Sequence, residues 1–293
     1  MLWILLTAAA APLQVARNAL QRGLVGEAGP WGATLVRFLF GLPFSIGLFA
    51  LAVLLTPDAQ PDPSLRFLAG VSVGAVAQVA ATGFLLLAMG RSGFAVATVF
   101  QQSSLPLGAV LGWIALGDRL SAGAWTGVFV ATAGLLVLSW PRREDLRGSV
   151  AGAALGLASG AAFAVALNGY RQSGLALEPA HPIYAALAGL VVAQGLQSLL
   201  LGGALAVTQP QALRAVRESW KASLGAGAFG SAASACWFAA LALAPAAPVR
   251  AVGVIEAPIA AAVGRRLFRE RLSARQWIGG VLTSLGVVLT ALG

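Results

Sequence analysis

The sequence predicts an all-α membrane protein, ten transmembrane helices arranged as two inverted five-helix repeats. Three observations lead there. First, the 293-residue chain is 58% hydrophobic and only 10% charged, with a mean hydropathy of +0.84. A soluble domain carries about 25% charged residues, so this chain cannot cover its surface with polar groups and needs a bilayer as its solvent. Second, no charge falls between Arg66 and Arg91, Arg91 and Asp118, Arg119 and Arg142, or Arg147 and Arg171. Each gap exceeds the roughly 20 residues that a helix needs to cross ~30 Å of hydrocarbon. Third, the end of the chain repeats its middle: Gly117 to Trp140 reads GDRLSAGAWTGVFVATAGLLVLSW, and Arg269 to Leu292 reads RERLSARQWIGGVLTSLGVVLTAL.

Taken in order, ten spans fit, at 2–20, 31–55, 66–89, 93–116, 121–140, 148–170, 181–206, 221–242, 245–267 and 274–292. The first is read as a helix that stays, because MLWILLTAAAAP lacks the basic residues that open a cleaved signal. The connections are short; the longest, Thr56–Leu65 and Gln209–Ser219, are read as loops. The arginines cluster between spans, where they anchor to headgroups.

At a constant offset of 152, Arg119 falls on Arg271, Leu120 on Leu272, Ser121 on Ser273, Trp125 on Trp277, Gly127 on Gly279 and Gly134 on Gly286. Asp118 meets Glu270, Pro106 meets Pro258 and Gly112 meets Gly264. Two sequence units follow, 1–143 with the first five spans and 144–293 with the last five. Because five is odd, the second unit enters the membrane from the opposite side, which makes the repeats inverted. Glycine is abundant, with 36 residues. The pairs Gly70/Gly74, Gly108/Gly112, Gly123/Gly127, Gly152/Gly156 and Gly156/Gly160 have the spacing that lets helix backbones approach closely in lipid.

These motifs resemble the drug/metabolite transporter superfamily, in particular its ten-helix branch of two EamA-type units. The resemblance rests on Leu105-Pro106, Leu116-Gly117-Asp118-Arg119-Leu120-Ser121, Trp125, Gly127 and Gly134 in the first unit. In the second it rests on Ala257-Pro258, Arg269-Glu270-Arg271-Leu272-Ser273, Trp277, Gly279 and Gly286, with Thr34 to Leu39 matching the second helix. It implies a secondary transporter of small polar metabolites, amino acids foremost, by export or exchange across a bacterial-type inner membrane. A multidrug exporter or a nucleotide- or sugar-type exporter of the same superfamily is the alternative. The partners implied are a small-molecule substrate, membrane lipid and, if transport is coupled, a proton. The chain is expected to act as a monomer or weak oligomer.

Polar residues inside spans are costly and face the bundle interior or water. On the first span Gln14, Arg17, Asn18 and Gln21 share one face at i, i+3, i+4, i+7; they line a cavity, or the later ones reach to the interface. On the third, Gln78 and Thr82 share a face. On the fourth, Gln101 and Gln102 precede Pro106, whose ring removes a backbone donor and frees a carbonyl. That break either binds substrate or is a kink satisfied locally. On the ninth, Arg250 and Glu256 precede Pro258. Glu256 is the candidate proton carrier, or else one half of a structural ion pair; Arg250 is the candidate partner for it or for a substrate carboxylate. Asn168, Tyr170, Gln194, Ser234 and Trp237 are further wall candidates, with Trp237 facing either substrate or lipid. Arg37 either lines the cavity or braces its helix.

Other classes find little support. A lone histidine, His181, and a lone cysteine, Cys236, offer neither a metal cluster nor a nucleophile–base pair, so no enzyme, cofactor or metal is expected. His181 reads as an interfacial residue. The net charge of +9 lies in loops rather than on a nucleic-acid-binding patch. With no soluble sensor domain, a receptor or scaffold is the remaining outside class. Orientation is contested: the family pattern puts both termini in the cytoplasm, whereas loop charge, counting Arg66, Arg119 and Arg171 against thirteen basic residues on the other side, puts them outside.

Overall fold

The computed structural model describes residues 1–139, 150–254 and 274–292, without the side chains of some helical residues, Asn18 among them. Eleven α-helices run through them: α1 (Leu2–Leu39), α2 (Leu42–Leu55), α3 (Leu65–Gln101), α4 (Ser104–Leu111), α5 (Ala122–Ser139), α6 (Val150–Leu177), α7 (Pro182–Thr208), α8 (Pro210–Glu218), α9 (Trp220–Leu243), α10 (Ala246–Gly253) and α11 (Ala274–Leu292). A π-helical turn, Gly112–Leu116, extends α4.

Among the described residues, five stretches are long and apolar enough to cross a membrane: Ala28–Leu55, Leu65–Arg91, Val150–Leu177, Pro182–Thr208 and Trp220–Leu243. Shorter apolar helices occupy Leu2–Arg17, Ser104–Leu116, Ala122–Val137 and Trp277–Leu292. The ninth expected span begins with α10 and passes out of the described residues, and Glu256 and Pro258 lie outside them. Large apolar side chains such as Leu54, 78% exposed, face outward, as lipid contact requires.

The helix ends follow local chemistry. Within α1 the backbone breaks at Gly29, whose φ of 69° is one that glycine adopts without a Cβ clash. Pro30 follows, suited to a first helical turn because its missing N–H would have no partner there. This separates the first two spans as expected. Three expectations need correction. The turn foreseen between residues 89 and 93 is absent, and α3 continues to Gln101, because Gly90-Arg91-Ser92-Gly93 contains no proline to interrupt the hydrogen-bond ladder. The segment Gln209–Ser219 is largely helical: Pro210 opens α8 and Val216 is buried against α1 residues Leu24, Ala28, Ala33 and Val36. Arg171, foreseen in a loop, is buried in α6, which extends to Leu177. Its Nη1 donates to the Leu241 carbonyl at 2.9 Å, one of the carbonyls that the last turn of α9 leaves without a helical partner.

The chain forms two compact units, each drawing on both sequence repeats. One joins Met1–Val76 to Gly169–Leu243, and the other joins Ala77–Asn168 to Ala244–Gly293. In the second, α5 and α11, the equivalent helices of the two repeats, pack on one another. A Cβ at Gly127 would meet Thr290, one at Gly134 would meet Thr283, and one at Gly286 would meet Ala131. The contacts advance along α5 as they recede along α11, so these equivalent helices run antiparallel. The Gly134–Thr283 contact also maps onto the Gly286–Ala131 contact under the 152-residue offset. The inversion expected from an odd number of spans is therefore visible at this helix pair.

Candidate functional site

The polar residues of the first unit gather where α1 meets α9. Gly230 of α9 has no side chain, and a Cβ there would lie 3.3 Å from Arg17 Cδ and 3.5 Å from Arg37 Cγ. The stems of two arginines, one on each side of the Gly29 break, therefore lie over the same glycine. Arg17 is only 6% exposed. Beside them Trp237 Nε1 donates to Gln14 Oε1 at 3.1 Å. Gln14 and Arg17 are three apart on α1 and share a face, as their spacing predicted. Trp237 is partly buried and tied to Gln14 by its indole N–H, which favours the inward alternative. The Arg37 guanidinium lies 5.2 Å from the Phe38 ring centroid and within electrostatic reach of Tyr170 on α6. Gln197 Nε2 of α7 donates to the Tyr170 hydroxyl at 2.9 Å.

A buried clasp holds these helices in register. Ser45 Oγ of α2 donates to Gln194 Oε1 of α7 at 2.7 Å, Gln194 Nε2 donates to Ser231 Oγ of α9 at 3.4 Å, and Ser231 Oγ donates to the Gly41 carbonyl at 2.6 Å. All three side chains are buried. In an apolar surround each unmade bond is expensive, so such a network fixes helix position.

In the second unit, Gln101 Nε2 lies 3.4 Å from Ser159 Oγ, which donates to the Ala81 carbonyl at 2.8 Å. Asn168, 6% exposed, donates through Nδ2 to the carbonyls of Gly108 and Ala164 at 3.1 and 2.9 Å, pinning α6 to α4. The break near Pro106 is small. The helix restarts at Ser104 with Pro106 in its first turn. The Gln102 carbonyl, which an N–H at position 106 would have engaged, accepts instead from Leu105 N at 3.1 Å. Gln78 lies on α3, with its carbonyl accepting from Thr82 Oγ1 at 3.0 Å, and Arg250 lies on α10.

The structure thus brings together Gln14, Arg17 and Trp237 and adds Arg37, while Gln78, Gln101, Gln102, Asn168, Arg250 and Pro106 belong to the other unit. Sequence reasoning missed Gln197, Ser45 and Ser231. Gln197 had a signal, since it is three residues from Gln194 and shares its face. The serines had none, because a lone serine in an apolar span is usually bonded to its own helix. Among the described residues no group of three His, Cys, Asp or Glu could hold a metal ion.

No curated protein matches the chain by sequence. Twenty-five chains of known structure match its fold. One of them, titled only "Crystal structure of protein", superposes with a TM-score of 0.69 at 19% identity, covering 99% of this chain and 96% of that one. The model of the EamA-like transporter family matches twice, over residues 1–140 and 151–292, one copy on each sequence repeat. The chain is a multi-pass membrane protein that belongs to the EamA-like transporter family.

Proposed function

We propose that the protein is a secondary transporter of small polar metabolites, amino acids foremost, which it exports or exchanges across a bacterial inner membrane. Membership of a transporter family supports transport. The observation that carries the substrate class is the placement of Arg17 and Arg37 over Gly230, beside the Gln14–Trp237 pair. Guanidinium groups engage carboxylates in a planar, two-pronged geometry. The indole of Trp237 offers a face for the apolar part of a small zwitterion. A buried cation such as Arg17 is costly within a span, and such residues mark substrate paths.

Transport follows by alternating access, in which two inverted repeats exchange their packing. Arg250 remains a candidate to contact a substrate carboxylate, and Glu256 is the proton carrier if flux is coupled to a gradient. The protein is taken to act as a monomer or weak oligomer. The test is uptake of labelled amino acids into proteoliposomes, with and without a pH gradient. Flux above that of empty vesicles, reduced in Arg17→Gln, supports the reading. Unchanged flux in Arg17→Gln removes Arg17 from the site. Gradient dependence that survives Glu256→Gln removes the role of Glu256.

A further inference from the structure

A groove of about 670 Å³ opens within the first compact unit, between α1 and the corner where α8 gives way to α9. Leu20 and Leu24 line it from α1, Trp220, Lys221 and Ala222 from α9, and Glu218 from the end of α8. The corner is firmly built. Ser219 donates to the Ala215 carbonyl through both N and Oγ, at 2.9 and 2.8 Å, and its own carbonyl accepts from Ser223 N at 3.0 Å.

The groove lies at a membrane boundary. The span of α9 begins at Trp220, and Leu20 and Leu24 stand between the apolar stretch Leu2–Arg17 and the span that starts at Ala28. Helix α8 buries Val216 against α1 and exposes Arg214 and Arg217, the amphipathic pattern of a helix lying in the head-group layer. Trp220 is about half exposed, and tryptophan rings settle at that same level.

Two opposite charges line the groove, Lys221 and Glu218, three residues apart across Ser219. They form no ion pair with each other, and among the described residues neither has an ion-pair partner elsewhere. Lys221 Nζ instead lies 5.7 Å from the Trp220 ring centroid, a cation–π contact that keeps the ammonium beside the apolar lining. An unmatched cation and an unmatched anion beside apolar side chains suit a ligand with one charge of each sign on an apolar body. At the head-group level that ligand is a phospholipid carrying a phosphate and a primary ammonium. We propose that the groove binds phosphatidylethanolamine. Its phosphate accepts from Lys221, its ammonium donates to Glu218, and its glycerol and upper acyl chain lie against Leu20, Leu24 and Trp220. Arg214 and Arg217 attract anionic lipid to the surrounding surface, but phosphatidylglycerol brings no cation for Glu218. The site does not depend on the transport reading above.

The test is native mass spectrometry of the full chain in detergent, offered equal amounts of phosphatidylethanolamine, phosphatidylglycerol and phosphatidylcholine with the same acyl chains. The wild type is expected to retain phosphatidylethanolamine severalfold over the other two; phosphatidylcholine has a trimethylated ammonium with no N–H for the carboxylate. Glu218→Gln is expected to lose the preference over phosphatidylglycerol, and Lys221→Gln to retain severalfold less phosphatidylethanolamine. Both variants alter exposed side chains, and melting temperature in detergent checks that the fold is intact. Glycerophosphoethanolamine, the same head group without acyl chains, is expected not to displace the lipid. Equal retention of the three lipids by the wild type, or a preference for phosphatidylglycerol, overturns the site. Wild-type behaviour in either variant overturns the assigned pairing, and displacement by the soluble head group overturns the lipid as occupant.

Discussion

At the scale of single residues, Gly230 is the most exposed to test. Its missing Cβ leaves room for two arginine stems at 3.3 and 3.5 Å. These are flexible side-chain atoms, so Gly230→Ala should fold and transport nearly as the wild type does. Gly230→Leu should displace both guanidiniums and lose most flux, with melting temperature in detergent showing that the fold survives. Trp237→Phe keeps a ring but removes the N–H that Gln14 accepts. Losing one such hydrogen bond costs about 0.5–1.5 kcal/mol, so a lower melting temperature and weaker substrate affinity are expected together. Gln194→Leu breaks the clasp at both its amide atoms and should destabilise by a similar amount without touching the arginines.

At the scale of elements, the α5–α11 pair makes a symmetric prediction. In lipid, helices associate through close packing rather than through loss of water, which makes small residues at contacts valuable. Gly134→Ala would press a methyl onto the backbone of Thr283, and Gly286→Ala would press one onto the backbone of Ala131. Backbone cannot step aside, so each should destabilise by about 1–3 kcal/mol, and by similar amounts because the contacts are equivalent. Gly280→Ala, on α11 with nothing within 4 Å of the added atom, is the control. Its gain in helix propensity, about 1 kcal/mol at most, should leave it neutral or slightly stabilised. Thermal denaturation of the three variants in one detergent decides the point.

The same elements show what was legible in the sequence and why. Gly127, Gly134 and Gly286 were singled out because they repeat at a fixed offset. They recur at the helix contact because a duplicated unit keeps the small residues its packing needs. Of the close-spaced glycine pairs, Gly70 lies against Gly169, while Gly156 and Gly160 meet Phe100 and Ser103. Gly108 meets nothing, so spacing alone did not separate contact from composition. The helical α8 was hidden because its only buried residue is Val216, too little to make an apolar period. Arg171 was hidden because a lone arginine near a span end reads as a boundary, and only the carbonyl of Leu241 on a distant helix explains its burial. At the proposed site, the shared face of Gln14 and Arg17 was legible from helical spacing, whereas Trp237 joins them through its hydrogen bond to Gln14. Ser45 and Ser231 acquire meaning only from partners at least 37 residues away along the chain.

At the scale of the molecule, two sequence repeats contribute jointly to each of two compact units, an arrangement that periodicity along one chain does not reveal. An even number of spans places both termini on one side of the membrane. A reporter active only in the cytoplasm should therefore give the same result fused at Met1 and at Gly293. Opposite results would remove one span from the count. Orientation itself is then read from whether both fusions are active or both silent, which decides between the family pattern and the loop charges.

The central claim is that a family transporter with two arginines over one glycine moves small carboxylate-bearing metabolites. It is tested most directly by reconstituting the purified chain into liposomes and measuring uptake of a labelled amino-acid mixture, wild type beside Arg17→Gln. The account predicts uptake well above that of empty liposomes for the wild type and a loss of about tenfold or more for the variant, as expected when a charge-assisted contact worth about 1.5–3 kcal/mol is removed. Wild-type uptake no faster than in empty liposomes, across amino acids, sugars and nucleotides alike, would contradict it.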